Sequence, residues 1–291
     1  MAASEIPCTV SVIVATALVS IQGFRQPYFS DRYLFSVREI LAGKEWHRMI
    51  TAAFLHADAA HLILNMVTLY LFGSLIEQHL GPARFLAIYF AAVIGGNLLP
   101  LWMHRQHEYR AYGASGGVCG LVFAFILLFP GASLSLFMLP IWIPGWLYGL
   151  LYLGGSIYAM RRQLGNIGHE AHIGGALAGL WITAAMQRSA VQENRMLFAA
   201  LSAVGVVLIL YLLRNPLMLP LEAFRRTSSS PLTRKPSKPQ KESAEVDAIL
   251  DKISREGIHS LTAEEQAILN GVSKKIRSRA ESRRPQSDLI I

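Results

Sequence analysis

The sequence predicts an all-α, polytopic membrane protein, in which a bundle of transmembrane helices precedes a small water-soluble helical tail. Three observations predict this fold class. Of the 291 residues, 53% are apolar and only 16% are charged, whereas about a quarter of a typical soluble domain is charged. The charge is uneven, with 22 charged residues among the first 220 positions and 24 among the last 71. The first part also contains seven apolar stretches of membrane-spanning length.

Each of these stretches is predicted to be a helix, because a helix satisfies its own backbone hydrogen bonds in lipid. They lie at residues 8–24, 61–79, 83–102, 115–130, 144–160, 172–187 and 196–213. Gly81 and Pro82 are expected to separate the second helix from the third, and Pro100 to end the third. Between the first two helices, the loop from Arg25 to Ala60 is rich in aromatic residues, which favour the boundary between lipid and water. This loop is therefore expected to lie in the membrane interface.

The composition changes after Pro220, which divides the chain into three regions. These are a transmembrane domain over residues 1–220, a basic disordered linker over 221–242 and a helical hairpin tail over 243–284. The first helix of the hairpin is expected to stop at Gly257, and Thr262 with Glu265 is predicted to form a capping box that opens the second. So small a hairpin cannot bury a large core and is expected to dock on something, but the sequence predicts no particular partner.

Charge and cysteine content exclude two further classes. The net charge of +8 is split evenly between the two parts and no nucleic-acid motif accompanies it, so no nucleic acid is predicted as a partner. Basic residues of membrane proteins more often set orientation and meet anionic lipids of the bilayer. Cys8 and Cys119 both lie in apolar runs, which excludes a disulfide framework and favours buried thiols. The segment before Cys8 lacks a basic region, so the first stretch is expected to be a retained span rather than a signal peptide.

Three polar segments at the heads of predicted helices are candidates for chemistry, since polar groups within a membrane are costly. They are His56-Ala-Asp-Ala-Ala-His61-Leu-Ile-Leu-Asn65, Gly113-Ala-Ser115-Gly-Gly-Val-Cys-Gly120 and Ala171-His172-Ile-Gly-Gly-Ala-Leu-Ala-Gly179. A serine nucleophile needs a general base, and an imidazole titrates near neutrality. Ser115 and His172 therefore form the candidate pair. Glycines four residues apart on each of these two helices would let the backbones approach closely.

An acyl-transfer site also needs donors for the developing oxyanion. The backbone N–H of Ser115 and the side chains of His61 and Asn65 are the candidates, since His61 and Asn65 are four residues apart on one helix face. No aspartate falls on the helices of Ser115 and His172, which favours a dyad over a triad.

These residues resemble the signatures of the rhomboid family of intramembrane serine proteases. The matching elements, in the family's order, are Glu45-Trp46-His47-Arg48 in the first loop, His56, His61 and Asn65 on the second span, Gly113 to Gly116, and Ala171-His172. The resemblance covers about residues 5–190 and implies a six-helix core, to which this chain adds a seventh span. The tail hairpin also looks like a short module at the end of some bacterial rhomboids.

The resemblance implies hydrolysis of peptide bonds in or near transmembrane segments of other membrane proteins, with no metal or cofactor. Ser115 would be the nucleophile, His172 the general base, and Asn65, His61 and the Ser115 N–H the oxyanion hole. The supporting residues would be His56, Gly113, Gly116, Trp46 and Arg48. Two positions depart from the family: Cys119 stands where many relatives have an aromatic residue, and His47 where they often have a second tryptophan.

Two other functions remain as alternatives. The first is an inactive rhomboid-like protein that holds transmembrane clients without cutting them, although such a protein is expected to have lost the serine or the histidine. The second is a metal site at His56, His61 and His172, for which the His-Glu-x-x-His spacing is absent. A transporter would need charged residues in the middle of a span, and none is found there.

Other polar residues are predicted to have no special role. His169 is interpreted as part of a loop, and Asp58 and Glu77 as residues at span ends. The histidines expected to be solvated are His79, His104, His107 and His259.

The family usually has a cytoplasmic N-terminus, and a bacterial member would lie in the inner membrane. Seven spans would then place the tail outside, whereas the basic residues 225–241 are typical of a cytoplasmic flank. The side of the tail stays open.

Overall fold

A computed structural model describes residues 6–135, 142–162 and 168–214, together with 249, 252, 258–263, 265, 266 and 268 of the tail. The chain divides into two compact units, Met1–Thr227 and Ser228–Ile291. The linker residues 221–242 and Gly257, on which predictions were made, lie outside the described residues.

The described part of the first unit is built from long helices. They are α1 (Pro7–Arg25), α5 (Ala59–Leu80), α6 (Pro82–Met103), α7 (Ser115–Leu128), α8 (Gly145–Arg161), α9 (His169–Met186) and α11 (Arg195–Arg214). Each coincides with one of the seven predicted stretches. Within the described residues, α1, α5, α6 and α11 are long and apolar enough to cross a membrane. The predicted fold class, an all-α polytopic bundle, is confirmed.

Shorter elements join these helices. They are α2 (Pro27–Tyr33), β1 (Phe35–Ser36), α3 (Val37–Leu41), α4 (Arg48–Thr51), β2 (Arg110–Ala111), β3 (Ser133–Ser135), β4 (Trp142–Pro144) and α10 (Arg188–Glu193). β1 pairs antiparallel with β2, and β3 with β4. These ribbons are not predictable from the sequence, because strands of two or three residues are too short to show an alternating pattern.

The centre of the bundle is formed by α6, α7 and α9, which pack on one another. Every residue of α7 from Gly116 to Leu127 is buried. A methyl group on Gly96 of α6 would lie 2.8 Å from the Ala171 carbonyl oxygen and 3.3 Å from the Gly116 Cα atom. Small residues permit this close approach of three backbones, as the glycine spacing predicts.

Glu77 fastens α1 to α5, and the prediction that it has no role was wrong. Its carboxylate accepts hydrogen bonds from the backbone N–H of Cys8 (2.9 Å), from the N–H of Thr9 (2.7 Å) and from the Thr9 hydroxyl (2.6 Å). Glu77 thus caps the N-terminus of α1, where unpaired N–H groups favour an anion. The sequence could not reveal this, since the partners are nearly seventy residues apart.

Helix boundaries follow the predicted signals with one exception. Gly81, with φ of +85°, separates α5 from α6, and Pro82 begins α6. Pro100 lies inside α6 rather than at its end. A proline is tolerated within a helix where neighbouring helices satisfy or shield the freed backbone groups.

The loop from Arg25 to Ala60 is folded around one buried cation. Arg48, whose side chain is 6% exposed, donates from Nη1 to the carbonyls of Asp31 (2.8 Å) and Leu34 (2.9 Å). Its Nε donates to Glu45 Oε2 (2.6 Å), and this bond lowers the pKa of the Glu45 carboxyl. Trp46 stays largely exposed. Arg48 therefore holds Asp31, Leu34 and Glu45 of this loop together, and its supporting role in the site stays a prediction.

The tail is described at a few positions only. Thr262 Oγ1 accepts from the Glu265 N–H (3.3 Å), and Glu265 Oε2 accepts from the Thr262 N–H (2.8 Å). This is the predicted capping box. Both Glu265 carboxylate oxygens also accept from Lys252 Nζ, at 3.0 and 2.9 Å.

Candidate active site

Ser115 is the first residue of α7 and is half-buried. The chain enters the helix through Gly113, whose φ of +116° disfavours any side chain. A methyl group on Gly113 would lie 2.8 Å from Cε1 and 3.0 Å from Nε2 of His61. The His61 ring therefore packs directly on the turn that presents Ser115.

His172 is in the first turn of α9, and glycine contacts bring this turn to the head of α7. A methyl group on Gly116 would lie 3.3 Å from the Ala171 carbonyl oxygen, and one on Gly175 would collide with the Gly116 carbonyl. Ala171 and Gly116 are the immediate neighbours of His172 and Ser115 in sequence. The two predicted catalytic residues thus stand at the heads of two helices in backbone contact.

The candidate oxyanion residues lie at the start of α5. Asp58 caps this helix by accepting from the His61 N–H (2.8 Å), which corrects the prediction that Asp58 has no role. Asn65 is buried, and its side-chain amide donates to the His61 carbonyl (3.0 Å). An amide carries two N–H donors, so this bond uses one of them.

His56 is buried and packs against His61. The Ser20 hydroxyl donates to the Phe54 carbonyl (2.9 Å), so its oxygen accepts from His56 Nδ1 (3.0 Å). The His56 ring meets the His61 ring edge-on, with centroids 4.8 Å apart. Burial lowers the pKa of His56 to about 3, which keeps the imidazole neutral.

The position one turn after Ser115 holds Cys119, and its partner comes from another helix. Cys119 Sγ and the Tyr152 hydroxyl of α8 are hydrogen-bonded at 2.8 Å. The Tyr152 ring centroid lies 6.3 Å from that of His172, with the planes tilted by 31°. Cys119 is thus more than the buried small hydrophobe that was predicted. Tyr152 was not predicted as a site residue, because it belongs to none of the sequence motifs.

Two predictions about the other histidines were wrong. His104 is buried beside Glu170 rather than solvated, and His169 begins α9 with its ring edge-on to His172, at a centroid distance of 5.8 Å. His79 is exposed, as predicted, and its ring meets that of Phe129 at a centroid distance of 5.0 Å. His107 and His259 are exposed, as predicted.

Within residues 6–135, 142–162 and 168–214, no three His, Cys, Asp or Glu side chains are grouped so as to hold a metal ion.

A family model for the rhomboid domain matches residues 43–189, just over half of the chain. The chain belongs to the rhomboid family. Family membership and the apolar helices make it an integral, multi-pass membrane protein. A second model, for a family of unknown function (DUF6576), matches residues 237–275 in the tail.

Curated rhomboid proteins are similar to this chain over part of their length. RHOMBOID-like protein 12, mitochondrial, of Arabidopsis thaliana is 30% identical over 195 residues, which are 60% of this chain and 56% of that protein. Rhomboid protein 1, mitochondrial, of Saccharomyces cerevisiae is 28% identical over 59% of this chain and 51% of its own. Rhomboid protease GluP of Bacillus subtilis is 30% identical over 61% of this chain and 34% of its own. The chain thus spans about half the length of the first two relatives.

Proposed function

We propose that this rhomboid is an intramembrane serine endopeptidase that hydrolyses peptide bonds in or near transmembrane segments of other membrane proteins. The observation that carries the proposal is the backbone contact of Gly116 with Ala171 and Gly175, which brings the heads of α7 and α9 together. Ser115 and His172, the two residues of the proposed dyad, are the sequence neighbours of Gly116 and Ala171. The similarity to a relative named as a rhomboid protease supports the same reaction.

In the proposed reaction, Ser115 Oγ attacks the carbonyl carbon of the scissile bond while His172 takes the hydroxyl proton. The tetrahedral intermediate collapses when His172 returns that proton to the leaving amine, which breaks the C–N bond and leaves an acyl-enzyme. Water then attacks the ester carbonyl while His172 takes its proton, and His172 returns that proton to Ser115 Oγ as the C–O bond breaks and the carboxylic acid product leaves.

The oxyanion of each tetrahedral intermediate needs fixed donors. We assign this role to the Ser115 N–H at the start of α7, to His61, which packs on the Gly113 turn, and to the second amide hydrogen of Asn65. Preorganised donors at a helix N-terminus need no reorganisation as the charge develops.

The test is cleavage of a transmembrane substrate by purified full-length protein in detergent and in liposomes. Ser115→Ala and His172→Ala should each reduce cleavage to background, and Asn65→Ala should slow it by about a hundredfold or more. Ser11→Ala and His107→Ala, which change exposed residues of the same two types, are matched controls and should cleave at the wild-type rate.

Two results would contradict the proposal. Cleavage that survives both dyad substitutions, or that is lost with a chelator instead, would rule out Ser115 and His172 as the dyad. Binding of transmembrane segments without cleavage by the wild-type protein would favour the client-holding alternative. For a bacterial source, we propose the inner membrane as the site of action.

A further inference from the structure

We propose that Glu170 is a positioning residue for the general base: a buried link from Glu170 to His104 and Tyr109 holds the first turn of α9 so that His172 faces Ser115. This inference rests on the proposed function, and it concerns three side chains that no rhomboid signature in the sequence analysis includes.

Glu170 is two residues before His172 and is almost completely buried, with 7% of its side chain exposed. A buried carboxylate is costly unless it is hydrogen-bonded. Here Oε1 lies 3.3 Å from His104 Nε2, at the C-terminal end of α6. The Tyr109 hydroxyl donates a second hydrogen bond to the same carboxylate.

The two partners of Glu170 are themselves held in place. The rings of His104 and Tyr109 are stacked, with centroids 4.0 Å apart and planes 16° apart. Tyr109 meets the Phe35 ring edge-on at 6.0 Å, and its carbonyl accepts from the Val37 N–H (3.0 Å). The link therefore connects the head of α9 to α6 and to the folded first loop.

Tyr109 also touches the backbone on which α9 begins. A methyl group on Gly168 would lie 2.9 Å from the Tyr109 hydroxyl oxygen. The Gly168 carbonyl in turn accepts from the Ala171 N–H (3.0 Å) and the His172 N–H (3.3 Å). Tyr109 thus contacts both Glu170 and the residue that starts the turn carrying His172.

The glycine contacts set which face of α9 meets α7, because a larger side chain at Gly175 or Gly179 would collide with the α7 backbone. The hydrogen bonds of Glu170 add a directional restraint within one turn of His172. An anion in the first turn of a helix is also stabilised by the unpaired N–H groups there. Since geometry at the reacting atoms controls the rate, a small rotation of this turn should slow the chemical step.

The test measures the reaction of Ser115 with a fluorophosphonate, which phosphonylates activated serines and releases fluoride. The labelled fraction at completion counts intact sites, and the rate constant reports how well Ser115 is activated. Full-length protein in detergent is compared with Glu170→Gln, Tyr109→Phe and the matched control Glu108→Gln, which changes an exposed carboxylate on the same loop. Steady-state cleavage gives kcat and KM for the same variants.

Glu170→Gln should label almost completely, but about tenfold to a hundredfold more slowly than wild type, with a matching fall in kcat and an unchanged KM. Tyr109→Phe, which removes one hydroxyl, should slow labelling by a smaller factor. Glu108→Gln should match wild type. If Glu170→Gln does not fold, Tyr109→Phe still decides the question.

Two results would overturn the inference while leaving the proposed function intact. The first is labelling of the variants at the wild-type rate. The second is a smaller labelled fraction with an unchanged rate constant, since that result assigns Glu170 to folding alone. If the wild-type Ser115 neither reacts nor cleaves, the proposed function itself fails.

Discussion

Cys119 on α7 and Tyr152 on α8 are joined by a hydrogen bond of 2.8 Å beside the ring of His172. The Tyr152 ring also stacks on Tyr148, with centroids 6.2 Å apart, and meets Phe123 edge-on at 6.1 Å. An aromatic side chain from α8 therefore lies next to the histidine.

Tyr152→Phe removes the hydroxyl of this pair and keeps the ring. We expect a loss of about 0.5–1.5 kcal/mol in the free energy of unfolding, measured by denaturant titration in detergent. Cys119→Ala should cost a similar amount, and the double variant should cost less than the two losses added together. Strictly additive losses would show that the two side chains do not interact.

Gly175→Ala places a methyl group against the Gly116 carbonyl, where the heads of α7 and α9 meet. Forcing these backbones apart should destabilise the protein by about 1–3 kcal/mol and abolish cleavage. Gly154→Ala is the matched control, because a methyl group there meets no atom within 4 Å. It should preserve activity and stability, and equal effects of the two substitutions would contradict the packing argument.

Glu77→Gln should weaken the cap on α1. An amide has one oxygen to accept from the three donors of Cys8 and Thr9, and its NH₂ group cannot accept from any of them. We expect a loss of about 2–3 kcal/mol in unfolding free energy. Thr9→Val removes only the hydroxyl donor and should cost less. Hydrogen exchange at the first turn of α1 should rise in both variants, and most in Glu77→Gln.

Acidification should destabilise the protein partly through His56. Burial lowers the pKa of this histidine from 6.5 to about 3. At a pH between these two values, the unfolded state therefore binds a proton that the folded state does not bind. Its contribution is fully present above pH 6.5 and is lost as the pH falls towards 3. Between pH 7.5 and pH 5 the loss should be about 2 kcal/mol.

The contribution of His56 is isolated by comparing the pH dependence of unfolding of the wild type with that of His56→Gln. The variant should be less stable at pH 7.5 but should lose less stability on acidification. Parallel curves for the two proteins would show that folding does not shift the pKa of His56.

Much of the fold was predictable because a bilayer imposes strict local requirements. A span must be apolar and helical over about 20 residues, so each long helix is visible in one continuous stretch of sequence. The capping box of Thr262 and Glu265 was predictable for the same reason, since its two partners are three residues apart. The candidate site was predictable where its residues lie in short motifs, as His61 and Asn65 do.

Most residues that the sequence left without a role have partners that are distant in the chain, and Asp58, which caps its own helix, is the exception. Glu77 caps a helix 68 residues away, His104 pairs with Glu170 66 residues away, and Cys119 bonds Tyr152 33 residues away. Each of these residues lies at a span end or in an apolar run. The local sequence pattern around them gives no information about a partner that is distant in the chain.

The sequence by itself therefore determined a polytopic helical protein of the rhomboid family, with its polar motifs at the heads of three helices. Only the tertiary structure decided which buried polar groups meet, and thus that Glu170 lies against His104 and Tyr152 beside His172. The physical reason is that hydrophobic length and helix spacing act along the chain, whereas the burial of a carboxylate or a hydroxyl is tolerated only where packing supplies its partner.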